Sequence, residues 1–219
     1  MAPMREVSFS VLIGVSMIHM KLGASGRSYV MTKRALSAAA TAERILDAAA
    51  GEFVAGTPIA GITLEAVAAG AGVSVQTVLR RFGDKEKLFS AAAERQAARV
   101  AAERDVAVPG DLEGAVANLA AHYERDGYLA LRLLAEETSS PFIEAVTASG
   151  RAYHRSWCAL MFGPFLGGLH DEERDRRLAQ FVAVCDVYVW KLLRVDAGLG
   201  RETYIQAILE LLEPLIRRT

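Results

Sequence analysis

The feature that most constrains this fold is a pair of short helical segments between Thr63 and Phe82. Thr63 and Ser74 are residue types that cap helix N-termini, and Gly72 lies between them. Apolar side chains recur at helical spacing in the first segment: Leu64, Val67 and Ala68. Two short helices joined by a glycine-containing turn predict a helix-turn-helix.

The second segment is polar at its start and basic at its end. Its early residues would reach base edges, and its late ones would contact phosphates. Gln76 can bond adenine bidentately, a Thr77 methyl can pack on a thymine methyl, and Val75 offers only apolar contact. Arg80 and Arg81 point about 100° apart, so we expect one to face DNA and the other to pair with an acidic neighbour. A merely solvated charged face is the plainer alternative.

The stretch TLEAVAAGAGVSVQTVLRRFGDKEKLF resembles the DNA-binding signature of the tetracycline-repressor (TetR) family, and the resemblance covers about Thr41 to Phe89. It implies a DNA-contact set: Thr63, Ser74, Val75, Gln76, Thr77, Leu79, Arg80, Arg81 and Lys85. Leu79 stands where family members usually carry a phosphate-contacting Tyr. Lys85 stands where the family places a phosphate-contacting Lys, at a helix N-terminus that itself favours anions.

Composition favours an all-α protein, because alanine contributes heavily to the 52% of hydrophobic residues, only six of the 219 residues are proline, and runs of β-branched residues are few. The net charge of −1 does not exclude DNA binding, since the positive charges can be local. Cys158 and Cys185 lie in apolar sequence and are expected to be buried, reduced thiols. No cofactor-binding glycine pattern is present, so we expect no cofactor and no enzyme activity.

Residues 1 to about 40 lie outside the signature. Val7 to Met20 is apolar, as in the core of a signal peptide, but it is too short to span a membrane. We interpret it as an extension upstream of a working start at Met31; an export signal and an ordered extension are the alternatives. Lys33 and Arg34 would form a basic arm along DNA or a frayed terminus.

Four segments are predicted. Residues 1–40 form an extension, disordered or an upstream-start artefact; residues 41–87 form the helix-turn-helix domain; residues 88–108 form a connecting helix and linker; residues 109–219 form an effector-binding and dimerisation domain. Thr41 is expected to cap the first helix. Gly127 is expected to end a helix, and one long helix is expected from Asp171 to about Asp196.

The resemblance implies an effector cavity in the C-terminal domain, although an aromatic stripe is more often core. The predicted pocket residues are Tyr123, Phe142, His154, Trp157 and Met161. His154 and Cys158 also lie four residues apart, a spacing that fits a metal or a nucleophile–base pair. With no second such pair nearby, we expect neither role.

The last predicted helices carry more apolar surface than one side can bury, which indicates a dimer interface. The predicted interface residues are Phe181, Cys185, Tyr188, Leu192, Ile205, Leu209 and Leu212. Internal core is the alternative. The resemblance implies a cytoplasmic homodimeric repressor without membrane contact, released from a palindromic DNA operator by a small apolar effector. The alternative is a helical small-molecule-binding or enzymatic protein that does not bind DNA.

Overall fold

A computed structural model of the chain describes residues 25–55 and 58–217, with side chains from residue 36 onward. These residues form helices and turns without a strand, so the predicted all-α class is confirmed. The helices are α1 Ser25–Val54, α2 Leu64–Ala71, α3 Val75–Phe82, α4 Lys85–Arg104, α5 Leu112–Ala135, α6 Pro141–Phe162, α7 Asp171–Val184, α8 Val187–Trp190 and α9 Arg201–Ile216. A π-helical turn, Lys191–Asp196, follows α8.

The first helix starts earlier than predicted. It begins at Ser25 and passes through Thr41, which therefore does not cap it. Residues 27–40 contain no glycine or proline to stop a helix, so the helical pattern extends upstream. Residues 25–40 belong to this helix, and the apolar segment 7–20 lies outside the described residues. The chain divides into two compact units between Ala40 and Thr41.

Residues 41–54 of α1, together with α2 and α3, form a compact head. Its core includes Ile45, Ala49, Val67, Ala68, Ala71, Val78, Leu88 and Phe89. A β-carbon placed on Gly70 would lie 3.2 Å from the Cβ of Ala48, so α1 and α2 cross closely. Small residues at this crossing let the two backbones approach.

The body consists of α5 to α9, and α4 joins it to the head. The body core includes Val116, Leu119, Tyr123, Trp157, Phe162, Phe181, Trp190, Tyr204 and Ile208. The prediction that Gly127 ends a helix is wrong, because α5 continues through it. A β-carbon on Gly127 would lie 2.6 Å from the Trp190 ring, so this glycine makes room for a side chain of another helix.

The single helix predicted from Asp171 to Asp196 is interrupted. α7 ends at Val184, and the Asp186 side chain accepts a hydrogen bond from Tyr188 N at 2.9 Å, which starts α8. The apolar spacing continues across Asp186 and therefore predicts one helix, but the Asp186 cap ends the first helix and begins a new one. In the described part of the chain, no helix has the length and apolarity needed to cross a membrane.

Candidate nucleic-acid interface

The turn between α2 and α3 is held by local hydrogen bonds. Thr63 caps α2, because its hydroxyl accepts from Ala66 N at 3.2 Å. Gly72 ends α2 with φ 65°, the left-handed conformation that glycine adopts without strain. Val73 N then donates to Ala68 O at 3.0 Å. These contacts fix the exit direction of α2 and hence the position of α3.

Ser74 begins α3. Its side-chain oxygen accepts from Thr77 N at 3.2 Å and lies 3.0 Å from the Thr77 hydroxyl. Val75, beside it, is half-buried and packs against the head core. Gln76 is exposed, so its amide is the group at this end of α3 that is most open to a base edge.

The outer face of α3 carries an apolar residue followed by two cations. Val78 is fully buried and anchors the helix to the head. Leu79, Arg80 and Arg81 are exposed. Within the described residues neither arginine forms an ion pair, so the expected acidic partner for one of them is absent there. Both cations are therefore available to phosphate oxygens.

Lys85 lies in the first turn of α4, beside α3. Asp84 caps this helix, because its carboxylate accepts from Lys87 N at 2.8 Å. The Lys85 ammonium donates to Ala60 O at 3.2 Å and lies 5.4 Å from the centre of the Phe89 ring. To contact a phosphate, the Lys85 ammonium must give up its hydrogen bond to the Ala60 carbonyl and donate to a phosphate oxygen instead.

Two further arginines hold α1 in place beside the helix-turn-helix. Arg44 donates to Ala71 O at 3.4 Å, at the end of α2. Arg95 of α4 bridges Glu43 and Asp47, each at 2.7 Å. Sequence reasoning missed Arg44; its position three residues after Thr41 on the first helix was the available signal.

Residues 45–92 match the family model described as bacterial regulatory proteins, tetR family. A crystal structure of a transcriptional regulator from Rhodococcus sp. Rha1 is similar at 19% sequence identity, with a TM-score of 0.59 over 82% of this chain and 96% of that one. None of the curated proteins compared with the chain matches it. The fold and the matched residues define a helix-turn-helix head of the DNA-binding kind. More particularly, residues 45–92 are similar to the tetR family of bacterial regulatory proteins.

The head also contacts the body through α5 and α6. Ile143, fully buried, belongs to the head core, and Phe142 packs against it. Phe142 therefore lies apart from the other predicted pocket residues, because the start of α6 packs against α4. Glu136 accepts from Ile59 N at 2.9 Å, and Arg132 donates to both Phe53 O and Glu136.

The other four predicted pocket residues meet in the body core: Tyr123, His154, Trp157 and Met161. Tyr123 donates to Cys185 O at 3.0 Å, and burial raises the pKa of its phenol well above the usual value. His154 donates from Nε2 to Val182 O at 3.2 Å and lies 3.7 Å from Cys158 Sγ. The described residues contain no cluster of three potential metal ligands.

A cavity of about 290 Å³ opens at another place in the body. It is lined by Phe165, Gly167, Gly168, Leu169, Glu173, Arg177, Leu215, Ile216 and Arg217. None of the five predicted pocket residues lines it.

Three of the predicted dimer residues are wrong as surface positions. Phe181, Cys185 and Leu212 are at most 1% exposed inside their own subunit. These three side chains pack into the body core of their own subunit, so the apolar faces of α7 and α9 that carry them are not exposed. Tyr188 and Leu192 are 52% and 58% exposed. The two remaining predicted residues, Ile205 and Leu209, are half-buried.

Proposed function

We propose that the protein is a cytoplasmic homodimeric repressor that binds a near-palindromic operator and leaves it when a small molecule binds the body. The observation that carries the proposal is the exposed pair Arg80 and Arg81, unpaired in the described residues, at the end of an α3 that begins with Gln76 and Thr77. Polar residues first and cations last match a helix that reads bases and contacts phosphates.

Dimerisation follows from the geometry of the target. Two heads fit successive major grooves when they lie about 34–36 Å apart. The exposed Tyr188 and Leu192 support a partner on this side of the body. An effector releases DNA only if it binds the DNA-free conformation more tightly than the DNA-bound one.

A gel shift on DNA from upstream of the protein's own gene tests the proposal. The wild type should give a specific shift that weakens as salt rises. Arg80→Ala should bind more weakly and with a shallower salt dependence, whereas Arg176→Ala, an exposed α7 arginine, should bind as the wild type. A wild type that shifts no genomic fragment specifically would favour the alternative, a helical protein that does not bind DNA.

A further inference from the structure

The Arg104 side chain is enclosed in the protein, and no carboxylate of the described residues pairs with it. It is the last residue of α4 and is 2% exposed. Among residues 36–55 and 58–217, no carboxylate forms an ion pair with it, and neither Nε nor Nη2 has a hydrogen-bond partner. A guanidinium stays protonated in proteins, and a buried charge without a partner is strongly unfavourable.

Two aromatic rings hold this guanidinium in place. The centre of the Trp157 ring lies 4.1 Å from Arg104 Cζ, and that of the Tyr153 ring lies 5.4 Å away. Trp157 also donates from Nε1 to the backbone oxygen of Arg104 at 3.2 Å. These contacts offset part of the desolvation. They fix the guanidinium without using its Nε–Nη2 edge.

Two titratable side chains, His122 and Cys158, lie close enough to Arg104 for its charge to change their pKa values. Burial lowers the pKa of His122, and the charge of Arg104 lowers it further. Hydrogen bonds from Cys185 and His154, together with the charges of His154 and Arg104, lower the pKa of Cys158 to about 5, but its sulfur makes no hydrogen bond to Nε or Nη2 of Arg104.

The two acidic side chains on neighbouring turns of α4 and α5 are already engaged. Asp126 accepts from Arg99 at 2.8 Å and also pairs with Arg125. Glu103, next to Arg104 in sequence, pairs with Arg125 and Arg99. No carboxylate among the described residues therefore occupies the Nε–Nη2 edge of Arg104.

Nε–H and Nη2–H are the parallel donors along one edge of a guanidinium, and their spacing matches the two oxygens of a carboxylate. We propose that the body binds a small organic carboxylate, whose acid group pairs with this edge of Arg104 and whose apolar part lies against Trp157. The inference rests on the proposed effector function and names the chemical class of the effector.

The position of Arg104 explains how such a ligand enters and acts. The connection from Asp105 to Asp111 follows it directly and exposes Val106 and Val108, at 73% and 61%. A ligand reaches the guanidinium when this connection moves aside. Since α4 begins at Lys85 beside α3, binding at its other end acts on the helix that positions the head.

Matched acid and amide pairs test the site on the full chain without DNA. Benzoate, phenylacetate and octanoate should raise the melting temperature at equal ionic strength, whereas benzamide, phenylacetamide and octanamide should not. By calorimetry, Arg104→Met should weaken binding of the best acid about tenfold or more. Equal shifts from acid and amide, or no shift from any acid, overturn the inference.

Two variants separate a ligand site from a structural role. Arg104→Met without ligand should melt at or above the wild-type temperature, because an unpaired buried charge is removed. A large fall identifies Arg104 as structural support and overturns the inference. Arg104→Lys keeps the positive charge but lacks the two parallel N–H donors. The variant should therefore fold, and it should bind the acid more weakly than the wild type does. Wild-type affinity in this variant contradicts the bidentate pairing. Arg155→Met, at an exposed α6 position, is the control and should bind normally.

A gel shift with each ligand distinguishes this inference from the proposed function. An acid that binds the protein but leaves DNA bound contradicts effector release and supports the site. DNA release by a neutral amide, with no acid bound, contradicts the site and supports effector release.

Discussion

The Phe142 ring in α6 lies 6.4 Å from the Phe89 ring in α4, centre to centre. Phe89 in turn lies 5.1 Å from Phe53 of α1, edge to face. The three rings form a row that joins the start of a body helix to the core of the head. A movement of α6 would therefore reach the head through side-chain packing as well as through α4.

Replacing Phe142 with alanine should break this row. We expect the free energy of unfolding to fall by about 2 kcal/mol, below the value for a fully buried phenylalanine, because Phe142 is half-buried. Urea unfolding followed by circular dichroism measures the change. Leu160→Ala is the control, since Leu160 lies on the same helix but is 57% exposed. Equal effects of the two substitutions would contradict the assigned packing.

Gly127→Ala should destabilise the body. The added methyl group meets the Trp190 ring, and overpacking of this kind costs about 1–3 kcal/mol. Gly150→Ala, inside α6 with no atom within 4 Å of the new methyl group, should instead stabilise the protein by up to about 1 kcal/mol. Thermal unfolding of both variants checks the prediction. A neutral Gly127→Ala would mean that the indole moves aside freely.

Ser74→Ala should weaken the start of α3. Loss of the cap should cost about 1 kcal/mol, measured by urea unfolding. Ser74→Asn should retain most of that stability, because the asparagine oxygen can accept the same hydrogen bond from Thr77 N. If the two variants are equally stable, the hydrogen bond seen at Thr77 N contributes nothing.

Asp126→Asn should change how stability depends on pH. Burial alone would raise the Asp126 pKa, but the close approach of His122 Nδ1 at 3.2 Å, hydrogen bonds from Arg125 and the charges of Arg125 and Arg99 hold it well below its usual range. A lowered folded-state pKa gives stability that is present above the unfolded value of about 3.9 and is lost as pH falls through the folded pKa.

We therefore expect Asp126→Asn to be about 2 kcal/mol less stable at neutral pH and to lose less stability than the wild type below about pH 4. Urea unfolding at pH 7, 5 and 3 makes the comparison. Asp175→Asn, at an exposed α7 position, should leave the wild-type profile unchanged. A profile for Asp126→Asn parallel to the wild type would show that the carboxylate gains nothing from its partners.

Leu192→Glu should separate the subunits if the exposed face of the segment after α8 is the dimer interface. A charge placed in an apolar interface should raise the dimer dissociation constant by at least about tenfold. Sedimentation equilibrium measures it. Val54→Glu, at a 72% exposed position in the head, serves as the control. An unchanged dissociation constant for Leu192→Glu would show that Leu192 is not part of the dimer interface.

The helix-turn-helix was predictable because its signals are local. Thr63, Gly72 and Ser74 each act on backbone groups within a few residues, so the sequence carries the whole instruction. Gly127 was misread because the reason for it, the Trp190 ring, comes from a distant part of the chain. Glycine in a helix looks the same in sequence whether it ends the helix or admits a neighbour.

The helices of the C-terminal domain were predictable from the sequence, but which of their faces are exposed was not. Periodicity shows that one face of α7 and α9 is apolar, but it does not say whether that face meets its own core or a partner. Phe181 and Leu212 face their own core. Arg104 was missed for the opposite reason, since a charge in an alanine-rich helix is typical of a solvated face.

The length of α4 sets the scale of any signal between its ends. Its 20 residues span about 30 Å. A tilt of about 6° about the Arg104 end would move the Lys85 end by about 3 Å, close to the 3.4 Å rise of one base step. A tilt of only about 6° in α4 is thus enough to shift a head along DNA by nearly one base pair.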